Sequence, residues 1–169
     1  RTRDEVIDIV ESGSADLGVI PGAEARSDMD SAPLFAYGRV LIAPRGHPVL
    51  REDPVELESI ARWPLIMMGP RTYTRSLLES EFQRRGLRYD VAVELDSMDM
   101  IKRYVGQGVG ISVGAGFAIE EEDKQEIGVI DLTHLLPVEQ AVIVTLRGRY
   151  TSPLVTEFCD TLQRELGGR

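Results

Sequence analysis

One stretch of this chain, ELDSMDMIKRYVGQGVGISVGAGFA at residues 94–118, restricts the choice of fold more than any other. It opens on the end of a short strand at 91–95, after which Ser97 offers an N-cap hydroxyl to a helix. Met98, Ile101 and Val105 fall at three- and seven-residue offsets, so one helical face is apolar and must be covered. Gly108 stands where a C′ glycine lets the chain reverse, and Val109, Gly110, Ile111, Ser112 and Val113 read as a strand leaving that turn. Strand, helix and strand in this order make a unit of the parallel-sheet kind.

A length of 169 residues, 43% of them hydrophobic, is enough for one globular unit with two lobes. The net charge of −9, with no dense Lys/Arg cluster, supplies no phosphate-tracking stripe, so these residues alone are not expected to bind DNA. Cys159 is the only cysteine, which excludes a disulfide framework and a Cys-based metal site and suits a cytoplasmic compartment. No apolar run has membrane-spanning length, so no membrane partner is expected. The opening RTRDEV is neither an initiator methionine nor a signal peptide and reads as the interior of a longer polypeptide.

The helix followed by Val105-x-x-Gly108-x-Gly110-Ile111 and, after six residues, Ala118 resembles the effector-binding domain of LysR-type transcriptional regulators. Two further segments are similar to that family: ADLGVI at 15–20, with Asp16, Leu17 and Ile20, and VLIAPRGHPVL at 40–50. MDMIKRYVGQGVGI is similar to the version found in the sulfur-assimilation branch, which points to sulfate or a sulfur-containing metabolite. The resemblance implies an α/β, two-lobed type 2 periplasmic-binding-protein-like fold with a central cleft, its first strand and helix missing from this chain. Lobe I would comprise residues 1–37 and 140–169, and lobe II residues 38–139. It also implies a small-molecule effector, a homodimer or homotetramer, DNA contact only through an absent helix-turn-helix domain, and no catalytic residue or cofactor.

Along the chain, Thr2 and Glu5 form a T-x-x-E capping box for a helix ending at Ser12 with Gly13 as C′. Residues 15–20 read as a buried strand, 22–32 as a surface connection and 35–43 as one long strand. Asp53 and Pro54 suit the N-cap and N1 of a short helix through Arg62, with a strand following at 64–68. A helix within 69–86 would bury Leu77, Leu78 and Phe82 and close at Gly86. The acidic run 120–123 reads as a solvated edge, and 128–132 and 140–146 as strands. Ser152 and Pro153 start a last helix with an apolar stripe of Leu154, Val155, Phe158, Cys159, Leu162 and Leu166.

Helix N-termini favour anions, because unpaired N–H groups and the positive dipole end lie there. Two helix starts qualify. The first carries Thr2 and Arg3; the second carries Arg71, Thr72, Thr74 and Arg75, where hydroxyls and a guanidinium can meet a carboxylate. A Thr before a helix is more often a cap than a ligand contact, and the family resemblance is what favours contact here. Through the resemblance, Gly114 and Ala115, near the loop after Ile111 to Val113, join the set. Asp4 repels an anion unless Arg1 or Arg3 offsets it.

His47 and His134 stand without an HExxH spacing or a third clustered ligand, so no metal site is read. Cys159, on the last helix's apolar stripe, reads as a buried, inert thiol. GQGVG closes a helix and precedes a strand, the reverse of a dinucleotide fingerprint. A solute-binding protein of a transport system shares the implied fold and is the alternative. A prephenate-dehydratase-like enzyme ranks lower: Thr74 and Arg75 are similar to its Thr-Arg-Phe motif, but Ser76 replaces the aromatic residue.

Overall fold

A computed structural model describes residues 2–22 and 26–166. The elements run α1 (Arg3–Glu11), β1 (Gly18–Pro21), β2 (Met29–Tyr37), β3 (Arg39–Pro44), α2 (Leu57–Ala61), β4 (Pro64–Met68), α3 (Tyr73–Arg84) and β5 (Asp90–Leu95). They continue with α4 (Met98–Gly106), β6 (Ser112–Ala115), β7 (Ile127–Asp131), β8 (Glu139–Leu146) and α5 (Pro153–Leu166). The chain forms two compact units, Arg1–Tyr37 with Val138–Arg169, and Gly38–Pro137.

In the first unit the capping box of α1 forms as read. Glu5 N–H donates to Thr2 Oγ1 at 3.4 Å, and Thr2 N–H donates to Glu5 Oε2 at 2.9 Å. Gly13, at φ 74°, ends the helix in a Schellman motif, its N–H on Val10 O and Ser14 N–H on Ile9 O, both at 3.0 Å. Ala15 N–H also turns back to Ile9 O, so the strand expected from Ala15 begins only at Gly18. The sheet order is β1-β8-β2, with β8 antiparallel to both neighbours. Alternation along β8 feeds two cores: Val142 and Val144 pack with Ile7, Val10, Ile20 and Met29, and Ala141 and Ile143 pack with Leu34, Cys159, Leu162 and Leu166.

Several expected boundaries move here. The polar connection expected to run to Ala32 turns into β2 at Met29, because β8 supplies a pairing partner and Met29 is buried. Arg147 reinforces that start, its guanidinium donating to Ser27 O, Met29 O and Asp30 Oδ1. The long strand expected over 35–43 is two strands that break at Gly38 and belong to different sheets. On α5, Leu154 is 75% and Phe158 51% exposed, so the stripe is not buried throughout. Both precede inward-facing residues by one position, about 100° around the helix.

The second unit is a sheet with helices on both faces. β3 pairs antiparallel with β6 and β7, and β4 pairs parallel with β5. The strand expected at 109–113 is displaced: Ile111 makes a single parallel bridge to Leu65, and only from Ser112 does the chain pair with β3. Gly110 permits this, since a Cβ there would lie 2.4 Å from Pro64 O. Val40, Ile42 and Ile66 pack under Ile101 and Val105 of α4, both 0% exposed, and each such burial is worth about 1.5–3 kcal/mol. On the opposite face Leu41, Leu65, Met67, Ile111 and Val113 meet Leu57 and Ile60 of α2 and Leu78 and Phe82 of α3.

Helices α3 and α4 end as the sequence implies. Gly86 N–H bonds Gln83 O and Leu87 N–H bonds Phe82 O; Gly108 N–H bonds Val105 O and Val109 N–H bonds Tyr104 O. Their starts differ from expectation in detail. Ser97 is the N-cap residue of α4, but its hydroxyl makes no capping bond. The helix expected from Pro54 begins at Leu57 with Glu56 as N-cap; the Asp53–Pro54 peptide is cis, and Val55 is buried with its carbonyl on His134 Nε2 at 2.8 Å. Asp123, expected to be solvated, accepts from Glu120 N–H and Lys102 Nζ, both at 2.8 Å.

Candidate functional site

Parallel strands deliver their carboxyl ends, and the helix starts that follow them, to one edge of the sheet; in open α/β sheets that edge is where ligands sit. In the second unit the edge is built from Met68 at the end of β4, Gly69 after it, the start of α3, and Gly114 and Ala115 at the end of β6. Ser112 fixes β6 to β4, its buried hydroxyl donating to Ile66 O at 2.6 Å. Gly114 admits Met98 from the first turn of α4, since a Cβ there would come 2.5 Å from its Cε.

The two candidate helix starts differ in chemistry. At α1 the capping box occupies the Thr2 hydroxyl, and Asp4 and Glu5 place carboxylates in the first turn. Such a start has its N-cap and N3 donors engaged within the box, and its carboxylates oppose an anion. At α3 Thr72 is the N-cap residue, yet its Oγ1 donates to Gly69 O at 2.9 Å instead of accepting from the helix, and the first turn holds no acid. That start has no side-chain cap bond and no carboxylate to oppose an outside anion.

Thr74 and Arg75 line a recess of ≈ 10 Å³ with Met67, Met68, Leu78 and Val113. That is about the room one water needs, so a ligand would rest over its mouth. Arg71, the residue before the N-cap Thr72, is exposed. Arg75 is largely spoken for: Nε donates to Glu79 Oε1 at 2.8 Å, Nη1 donates to Met68 O at 2.9 Å, and Nη1 is 3.0 Å from Glu94 Oε2. Burial works against its charge, but the bonds to Glu79 and Glu94 outweigh that and raise its pKa above the ordinary value. The remaining expected contacts, Thr2 and Arg3, belong to the other unit.

A residue the sequence reading passed over also stands here. Arg39, the first residue of β3, is 0% exposed; Nη1 donates to Pro137 O at 2.8 Å and the guanidinium lies 5.2 Å from the centroid of Tyr73, the first residue of α3. Its one signal in sequence is a charge directly after Gly38 at the head of an apolar strand. A larger hollow of ≈ 260 Å³, lined by Lys102, Glu122, Asp123, Gln125 and Glu126, suits an anion poorly. Lys102 Nζ is committed to Asp123, Asp99 and Ala118 O, and much of the lining is acidic.

Two curated relatives of this chain are transcriptional regulators. The HTH-type transcriptional regulator cbl of Escherichia coli strain K12 is 30% identical over 163 residues, 94% of this chain and 51% of that protein. The HTH-type transcriptional regulator CysB of Burkholderia cenocepacia is 30% identical over 169 residues, 96% of this chain and 53% of that protein. The chain thus spans about half the length of the curated relatives it matches. Among solved structures, the cofactor-binding domain of the Cbl transcriptional regulator superposes with a TM-score of 0.83 at 29% identity, over 98% of this chain and 73% of that one. The regulatory domain of Synechocystis PCC6803 CcmR in complex with 2-PG shares the fold, with a TM-score of 0.85 at 22% identity over 98% of this chain and 80% of that one. The family described as LysR substrate binding domain matches residues 1–167, and this chain belongs to it, with the type 2 periplasmic-binding-protein-like fold of its relatives.

Proposed function

We propose that this chain is the ligand-sensing regulatory domain of a LysR-type transcriptional regulator, and that a small anionic metabolite binds at the start of α3. The match of the LysR substrate binding domain to nearly the whole chain carries the reading. The open, acid-free first turn of α3 supports the choice of place within it. Thr74 supplies a hydroxyl, Thr72, with its own hydroxyl on Gly69 O, holds the N-cap position, Arg71 supplies long-range charge, and Gly114 and Ala115 supply backbone from β6. Thr2 and Arg3 fall outside this ligand set, because the capping box already fills the α1 start.

Binding of this kind breaks no bond, and the domain acts as a sensor, not an enzyme. The effector shifts the populations of two arrangements, for which a difference in affinity of about 1–3 kcal/mol suffices. DNA contact is assigned to a helix-turn-helix segment elsewhere in a cytoplasmic polypeptide, in keeping with the net charge of −9 here, and the active species is a homodimer or homotetramer held by this domain. The likeness of MDMIKRYVGQGVGI to the sulfur-assimilation branch, with the cbl and CysB matches, puts sulfate and sulfur-containing metabolites first.

A thermal-shift panel of sulfate, thiosulfate, aromatic carboxylates and amino acids tests this. A ligand at a hundred times its dissociation constant adds about 2.7 kcal/mol, roughly 5–11 °C for a domain of this size. The expected result is a hit that Thr74→Ala abolishes. A hit indifferent to Thr72→Ala and Thr74→Ala, or no hit at all, removes the assignment.

A further inference from the structure

Arg75 reaches three elements at once. It projects from the first turn of α3, donates to the carbonyl of Met68 at the end of β4, pairs with Glu79 one turn further along α3, and pairs with Glu94 near the end of β5. Its side chain is 10% exposed, against 30% for Glu79 and 50% for Glu94, so the guanidinium sits inside the joint with carboxylates closing it from outside. Tyr89 adds a fourth strut, its hydroxyl donating to Glu79 Oε1 at 3.0 Å. An arginine fork of this geometry fixes direction as well as distance, which a lysine cannot do.

We propose that Arg75 is a positioning residue: it clasps the first turn of α3 to the carboxyl ends of β4 and β5, and so aims the first-turn N–H groups and Thr74, without itself ligating the effector. The inference rests on the reading that the α3 start holds an anion. Its logic is electrostatic and geometric together. With Nε and Nη1 engaged and two carboxylates beside it, Arg75 offers an incoming anion little net attraction. What it supplies is the angle at which the open helix end leaves the sheet.

Two readouts on the full regulator test this: amide hydrogen exchange without ligand, and affinity for inorganic sulfate. Arg75→Lys keeps the charge and loses the fork; Arg75→Met loses both. The clasp predicts faster exchange at residues 76–79, whose N–H groups bond the carbonyls of the first turn, in both variants, with protection of buried β3 unchanged, and an equal fall in sulfate affinity of about tenfold or more. A direct ligand contact predicts instead that Arg75→Lys holds sulfate nearly as well as the parent, and that result overturns the proposal. Should the Arg75 variants fail to fold, Glu94→Ala, at a half-exposed site on β5, must still loosen 76–79; unchanged exchange there also overturns it. If the parent binds no sulfate while the variants loosen 76–79, the clasp stands and only the sulfate assignment falls.

Discussion

Gly108 and Gly110 lie two residues apart and are glycine for different reasons, which makes them a sharp test of the closing turn of α4. Gly108 has φ +81° with no atom within 4 Å of an added Cβ, so a substitution there meets only the backbone penalty of the left-handed region. That penalty is roughly 1–2 kcal/mol for alanine and larger for a β-branched residue, partly offset by a stiffer unfolded chain. At roughly 2–4 °C per kcal/mol for a chain of this size, Gly108→Ala should melt about 2–6 °C lower. Asn tolerates positive φ, so Gly108→Asn should fall between parent and Ala, with Gly108→Val lowest. Gly110 has ordinary backbone angles, but its Cβ would stand 2.4 Å from Pro64 O, the acceptor of the 3.0 Å bond from Ile111 N–H. Gly110→Ala must part that buried pair and should cost more than Gly108→Ala, about 2–4 kcal/mol with the clash included. Thermal unfolding by circular dichroism, checked by urea titration, reads both. Gly108→Val melting with the parent refutes the C′ assignment of Gly108, and Gly110→Ala milder than Gly108→Ala refutes the close approach to β4.

Two further predictions follow from single side chains. His47 Nδ1 accepts from Val49 N–H at 3.3 Å, its ring stands edge-on to Trp63 at 4.4 Å, and burial lowers its pKa below the ordinary 6.5. The unfolded chain therefore binds this proton more readily: the contribution is full above about pH 6.5 and is lost as pH falls through the lowered folded value. The melting-temperature gap between parent and His47→Asn should accordingly narrow from pH 7.5 to 5.5, and a constant gap contradicts the assignment. Cys159 is half-buried, and burial, then Asp160, raises its pKa, so alkylation by iodoacetamide at pH 7.5 should run at least about tenfold slower than in urea. Labelling at the unfolded rate contradicts the packing of α5.

Helix ends were legible because their chemistry is local. The Thr2–Glu5 box and the glycines at 13, 86 and 108 act within a few residues of themselves, and each forms as the sequence implies. Strand boundaries were legible at 64–68, 91–95 and 140–146, but not where a partner distant in sequence moves them: Leu146 brings Met29 into β2, and Pro64 with Leu65 holds Ile111 back from β6. Around the candidate site, Thr72 could be read as an N-cap position, but not that its hydroxyl turns to Gly69. Arg75 looked available to a ligand because Glu94, which pairs with its charge, arrives on β5. The burial of Arg39 was not legible, because a single charged residue at the head of an apolar strand belongs to no period or motif.

The changeover at Ile111 gives the second unit a seam. Its sheet consists of two patches, β6-β3-β7 and β4-β5, stitched by Ile66 N–H to Ile111 O, Ile111 N–H to Pro64 O and the Ser112 hydroxyl to Ile66 O. Thr74 follows the β4 side of that join, and Gly114 and Ala115 lie on the β6 side. On the reading proposed above, a metabolite held by both is a staple across the stitching. Occupancy then registers first as stiffness: the patches lose freedom to shear past one another before any larger rearrangement is needed.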